Sequence, residues 1–154
     1  MSKALTRVFA KATPLLNTIQ SGLHFLQAPA TLAARVFVGM AFFRSGLTKI
    51  ADWDITLALF ADEYHVPLLP THVAAVAGTF GELFFPVLLI TGLFGRFSAL
   101  SLSFVNIVAV LSLAEIAPAA LQQHQFWGSL LLGLVLWGPG NWSVDAWWWP
   151  KFSR

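Results

Sequence analysis

Residues 71–97 read THVAAVAGTFGELFFPVLLITGLFGRF, and the fold turns on this stretch. Between His72 and Phe94 the only acidic or basic side chain besides the terminal imidazole is Glu82. About 20 apolar residues carry a helix across a bilayer, so His72–Phe94 reads as a transmembrane span. Glu82 lies near its middle. A carboxylate is costly in hydrocarbon, so at that depth it faces a bundle interior, takes a partner and marks function. Gly95-Arg96 leaves room only for a very short turn. The next span is therefore an antiparallel neighbour.

Working outward, three more stretches have membrane length: Leu32 to Ile50, Phe97 to Ala117, and Leu121 to Trp137. The last starts among Gln122, Gln123, His124 and Gln125, and Gly138-Pro139-Gly140 ends it abruptly. The chain is 57% hydrophobic and 10% charged, with a mean hydropathy of +0.72. A soluble domain carries about 25% charged residues, enough to cover a wet surface. The expected fold is an all-α membrane protein, a four-transmembrane-helix bundle over residues 29–154.

Residues 1–28 form a separate expected unit. Leu5, Val8, Phe9, Ala12, Leu15, Leu16, Ile19, Leu23 and Leu26 recur at helical spacing, against Lys3, Arg7, Lys11, Asn17, Gln20 and His24. This predicts an N-terminal amphipathic helix, broken at Pro14 with Thr13 as N-cap, lying in the membrane interface or packed on the bundle or a partner. A cleaved signal needs an unbroken apolar core, and Asn17, Thr18, Gln20, Ser21 and His24 interrupt this one, so the segment reads as retained.

Charge sets the expected orientation. Lys3, Arg7, Lys11, Arg35, Arg96, Lys151 and Arg154 fall on one side, and Asp52, Asp54, Asp62 and Glu63 on the other. The positive-inside rule then places both termini in the cytoplasm of a multi-pass membrane protein. Trp142, Trp147, Trp148 and Trp149 suit an aromatic belt on the same side. A net charge of +2 is too small to point to nucleic acid.

Three ionisable groups are the expected catalytic centre: Glu82, Arg44 and Lys49. A rise of about 1.5 Å per residue puts Arg44 roughly 9 Å and Glu82 roughly 15 Å below the outer boundary. Side chains lean towards their helix's N-terminus, so Arg44 and Glu82 lean towards each other, and an Arg44–Glu82 ion pair or shared pocket is expected. A pair that merely sets helix register is the competing reading. Pro86, one turn after Glu82, should kink the span.

Asn106, His124 and Trp127 are the expected ligand-binding side chains. Asn106 sits at a depth similar to Glu82, where an amide bonds to a neighbouring helix. Trp127, one turn after His124, can stack on a ring or anchor the interface. Lys49, Asp52, Asp54, His65, His72, Glu115 and His124 gather near the outer face, but their spacing matches no ligand pattern and they read as a wet rim, so no metal site is expected. Ser143 and Asp145 look like caps of a short final turn. The absence of cysteine removes disulfides, thiol catalysis, cysteine-ligated iron–sulfur clusters and c-type haem.

The sequence resembles the DoxX family of small four-helix membrane proteins. The likeness rests on Phe43-Arg44-Ser45-Gly46-Leu47-Thr48-Lys49-Ile50, on Gly81-Glu82-Leu83 with Pro86, and on Gly92-Leu93-Phe94-Gly95-Arg96. It extends to Trp127, Gly138-Pro139-Gly140, Ser143 and Asp145. Asp52-Trp53-Asp54 and Tyr64-His65-Val66-Pro67-Leu68-Leu69-Pro70 further resemble the HvfX-like branch. The resemblance implies an inner-membrane bundle, with relatives that serve thiosulfate:quinone oxidation, stress responses or modified metal-binding peptides.

The leading expectation is a redox accessory subunit holding a quinone, or a similar small ligand, in a buried polar pocket, with no electron carrier of its own. Arg44 and Lys49 would stabilise charge on the quinone oxygens, Glu82 would relay protons, and Trp127 would stack on the ring. One alternative is a non-enzymatic scaffold for proteins of metal, modified-peptide or oxidative-stress handling. Another is a small proton-coupled carrier built on Glu82. Expected partners are the lipid bilayer, a membrane or soluble redox protein, and a second copy of the chain.

Overall fold

The computed structural model describes residues 3–66 and 68–148, with side chains from Thr13 onward except Leu15. The chain is all-helical. It runs α1 (Lys3–Ala51), α2 (Trp53–Asp62), α3 (Thr71–Thr91), α4 (Gly95–Ser112), α5 (Pro118–Trp137) and α6 (Val144–Trp148). Among the described residues three helices are long and apolar enough to cross a membrane: Leu16–Ala51 within α1, Thr71–Thr91 and Gly95–Ser112. α5 has 20 residues and packs beside α4.

The N-terminal region departs from expectation. One continuous helix of 49 residues passes through Pro14 and Pro29, so neither a cap at Thr13 nor a break at Pro14 divides it. The expected boundary between residues 28 and 29 falls inside this helix. Proline costs a helix one hydrogen bond, so the Ala10 and Phe25 carbonyls lose their ordinary donors while the rest of the ladder persists; separately, two threonine hydroxyls bond back to carbonyls of their own turn. Thr18 Oγ1 donates to Pro14 O at 2.9 Å, and Thr31 Oγ1 donates to Gln27 O at 2.9 Å and Ala28 O at 3.0 Å. The side chains of Lys3, Arg7 and Lys11, and the expected placement of Trp149, Lys151 and Arg154, lie outside the described residues.

α1 packs against α3 over most of its second half, α3 against α4, and α4 against α5. The main core joins Val38 and Phe42 of α1, Leu89 of α3, Ala99 and Leu102 of α4, and Leu131 and Leu134 of α5. The outside of this bundle is apolar too: Phe80, Phe84, Phe97, Leu100, Phe104, Ile107 and Leu111 are all exposed. That inversion of a soluble surface is what a lipid environment requires.

Small residues set the α1–α3 distance. A Cβ on Gly46 would lie 2.8 Å from Leu83 Cδ2 and 3.2 Å from the Glu82 carbonyl carbon. Gly39 meets Ile90 in the same way. Close backbone approach through small residues is the usual basis of helix association in membranes. α3 continues through Pro86, which is buried. Its missing N–H leaves the Glu82 carbonyl without the ordinary helical donor.

At the opposite end of the bundle, the α3–α4 turn is tied down by the C-terminal segment. Gly92 caps α3 in the left-handed region at φ 70°, where glycine carries no Cβ penalty. Asp145 accepts from Phe94 N at 2.8 Å and Gly95 N at 2.7 Å, closing the N-terminus of α4. Its role is thus larger than a cap on its own turn; Ser143 Oγ fills that role, accepting from Ala146 N at 3.2 Å. Arg35, expected as a water-side charge, is fully buried and donates through Nη2 to Trp142 O.

Candidate functional site

Glu82 is buried, and its partner is Lys49. Lys49 Nζ lies 2.6 Å from Glu82 Oε2, with the two side chains 15% and 10% exposed. Lys49 Nζ also donates to Ser45 Oγ at 2.9 Å. An ammonium has three N–H groups, so one donor remains. Glu82 Oε1 has no protein partner among the described residues.

Arg44 is not part of this pair, which corrects the expected Arg44–Glu82 contact. It is exposed, and no ion pair involves it among the described residues. The reason is helical phase. Side chains advance about 100° per residue, so Phe42, Ser45, Gly46 and Lys49 share the face turned to α3. Arg44 stands roughly 160° from Gly46, on the other side. Leaning along the helix axis cannot offset a wrong azimuth.

The second cluster joins α4 to α5. His124 Nδ1 donates to Asn106 Oδ1 at 2.7 Å, and Asn106 Nδ2 donates to His124 O at 3.0 Å. An amide oxygen only accepts, so this geometry places the proton on Nδ1 and leaves Nε2 of the neutral ring as acceptor. The His124 and Trp127 rings meet edge-on at 5.1 Å, and Trp127 reaches Phe42 at 5.5 Å. Asn106, His124 and Trp127 are therefore brought together. No hydrogen bond joins them to Glu82 among the described residues.

The remaining rim residues separate into local roles. Asp52 caps α2, accepting from Ile55 N at 3.0 Å. His72 meets the Trp53 ring edge-on, and His65 pairs with the Glu63 carbonyl. Among the described residues no three His, Asp or Glu side chains converge as metal ligands.

α2 and the following loop roof the ion-pair end of the bundle. Phe60 of α2 packs on Ala74 and Ala75 of α3, with Trp53, Leu57, Tyr64 and Val66 around them. His65 N donates to Ser112 O at 2.7 Å and Tyr64 bridges to Leu113, which pins the loop to the end of α4. Thr56 Oγ1 donates to Lys49 O at 2.9 Å, tying this roof to the ion-pair helix. Burial holds the Tyr64 phenol above its ordinary range, and the Glu63 and Glu82 carboxylates push it further up. Tyr64 was read only as part of a loop motif. Its being the sole tyrosine carries no positional signal.

These features define an all-helical membrane protein with charged and amide side chains paired between its helices. The DoxX family model matches residues 30–115, more than half of the chain, so the chain belongs to the DoxX family. No curated protein and no solved structure matches it.

Proposed function

We propose that this protein crosses the bacterial inner membrane four times, with both termini cytoplasmic, and receives a quinone headgroup at Lys49–Glu82 as the accessory subunit of a redox partner. The observation behind this reading is an ion pair at 2.6 Å, buried between two apolar helices, with hydrogen-bonding capacity left over. α5 supports a fourth crossing, since it exposes Phe126, Leu132 and Leu136 along its length. Asp52-Trp53-Asp54 and the Tyr64–Pro70 loop favour the HvfX-like branch.

Desolvation makes such a pair poor value as a stability device, which favours a functional role. The residues fit a quinone: the third N–H of Lys49 suits a carbonyl oxygen, and the free oxygen of Glu82 suits a proton. A bound quinone would supply the two-electron chemistry that needs a partner protein as donor or acceptor. Lys49 would stabilise negative charge where it develops, and Glu82 would exchange protons with the roofed entrance. The Asn106–His124–Trp127 cluster makes no hydrogen bond to this pair among the described residues and ties α4 to α5.

Titration of the reconstituted protein with a short-chain ubiquinone, followed by tryptophan fluorescence, tests this. Saturable binding that weakens at least about tenfold in Lys49→Met, roughly one lost charge-assisted hydrogen bond, is the expected result. Arg44→Ala should bind like the parent. Binding that is absent, or equal in Lys49→Met, removes the proposal.

A further inference from the structure

We infer that residues 3–28 of α1 dock on an anionic lipid surface, pivoting at Gln27–Thr31 away from the line of the spanning helix. Length is the first argument. α1 has 49 residues and is about 73 Å long, whereas the hydrocarbon core is about 30 Å thick. Residues 29–51 alone span about 35 Å. The first half of the helix has no place in the crossing.

Surface is the second argument. Residues 16–27 are all exposed, so none packs on the bundle. Leu16, Ile19, Leu23 and Leu26 follow helical spacing and form one apolar stripe, 55%, 49%, 58% and 56% exposed. Asn17, Ser21 and His24 lie towards the other side. A stripe of this kind left in water has no physical rationale and needs an apolar medium along that side; Phe25, 76% exposed, is the one large apolar side chain of residues 16–27 on the other side.

Charge selects the occupant. No acidic residue precedes Asp52, and the first eleven residues contain Lys3, Arg7 and Lys11. A basic amphipathic helix is attracted to anionic headgroups. Pairing with the same segment of a second copy would bring like charges together with no acid to offset them.

α1 is continuous here, and Pro29 is the point where its ladder is weakest. Pro29 has no N–H, so the Phe25 carbonyl lacks its helical donor. Thr31 Oγ1 engages the Gln27 and Ala28 carbonyls, a pattern that bends helices. Bending at this point lays the stripe on the bilayer without disturbing Arg35 or Val38.

The absence of cysteine makes the test clean. Nitroxide labels are placed at Leu23→Cys or Ser21→Cys in the full chain, in nanodiscs with and without phosphatidylglycerol. Docking predicts that the label at position 23 favours oxygen and the one at 21 favours a water-soluble nickel complex, in anionic discs. Replacing Lys3, Arg7 and Lys11 together by Gln should lower the docked-to-undocked ratio roughly a hundredfold. Equal nickel access at both positions in anionic discs overturns the inference, as does dipolar broadening between copies. An unchanged triple variant overturns it too.

Discussion

Removing one member of the Lys49–Glu82 pair should cost far more than removing both. Glu82→Leu leaves an ammonium that is only 15% exposed with Ser45 as its one partner. Lys49→Met leaves a carboxylate that is 10% exposed with none. Breaking a buried pair from one side costs about 3–5 kcal/mol, because a charge stays buried without compensation. An exposed pair would cost about 0–1 kcal/mol. Replacing both by apolar side chains of similar volume, Lys49→Met with Glu82→Leu, should be near neutral. The coupling energy is then several kcal/mol, well above the roughly 0.5 kcal/mol error of additivity. Thermal unfolding in detergent reads it. At about 2–4 °C per kcal/mol for a chain of this size, each single variant should lose roughly 6–20 °C and the double only a few. Arg44→Ala should fall within about 0.5 kcal/mol of the parent, as an exposed side chain does. Additive losses in the double variant, or an Arg44→Ala loss as large as that of Lys49→Met, would refute the assignment.

Other parts of the structure make independent predictions. Gly46→Val should push α1 from α3, because even a Cβ stands 2.8 Å from Leu83, and about 1–3 kcal/mol should be lost in the same unfolding assay. Asn106→Leu strips His124 Nδ1 of its acceptor and should cost about 1–3 kcal/mol, whereas a surface change on α4 such as Phe104→Leu should cost little. Asp145→Ala uncaps the N-terminus of α4 and should lose about 1–2 kcal/mol, read as faster amide exchange at Phe94 and Gly95. The Tyr64 phenol is raised by burial first, then by Glu63 and Glu82, so its ultraviolet titration should lie above the ordinary value near 10 and fall, without reaching it, in Glu82→Gln. The sign follows: folding favours the protonated phenol, so that contribution is complete below the unfolded pKa and disappears as pH rises through the folded one. A Tyr64 midpoint indifferent to Glu82 would break the link between the loop and the ion pair.

Periodicity and composition reached the outline. Apolar runs of fixed length, a turn limited to Gly95-Arg96 and a Gly-Pro-Gly stop depend on local rules, and α3, α4 and α5 begin and end within a few residues of those limits. The same rules erred where a distant constraint competed. Pro14 argued for a break and a unit boundary was expected between residues 28 and 29, yet α1 runs through both, because a single proline removes one hydrogen bond while many others persist. α2 was missed, although Asp52 stood ready as its N-cap, since a ten-residue helix in a loop needs the α3 surface to bury Phe60.

For the site, the chain by itself determined that Glu82 must be paired inside the bundle, because no lone carboxylate is tolerated at that depth. It also put Asn106 level with a partner on another helix. Which cation answers Glu82 was decided by tertiary structure. Lys49 and Arg44 are both long, basic and near enough along the axis, and only the azimuth of α1, set by Gly39 and Gly46 against α3, turns Lys49 inward and Arg44 out. Arg35 makes the same point at the other end, where a charge read as wet is sealed beneath a tail more than a hundred residues later. Composition limits what must be satisfied, but rotation about a helix axis is fixed by packing between helices, and that is where the choice of partner is made.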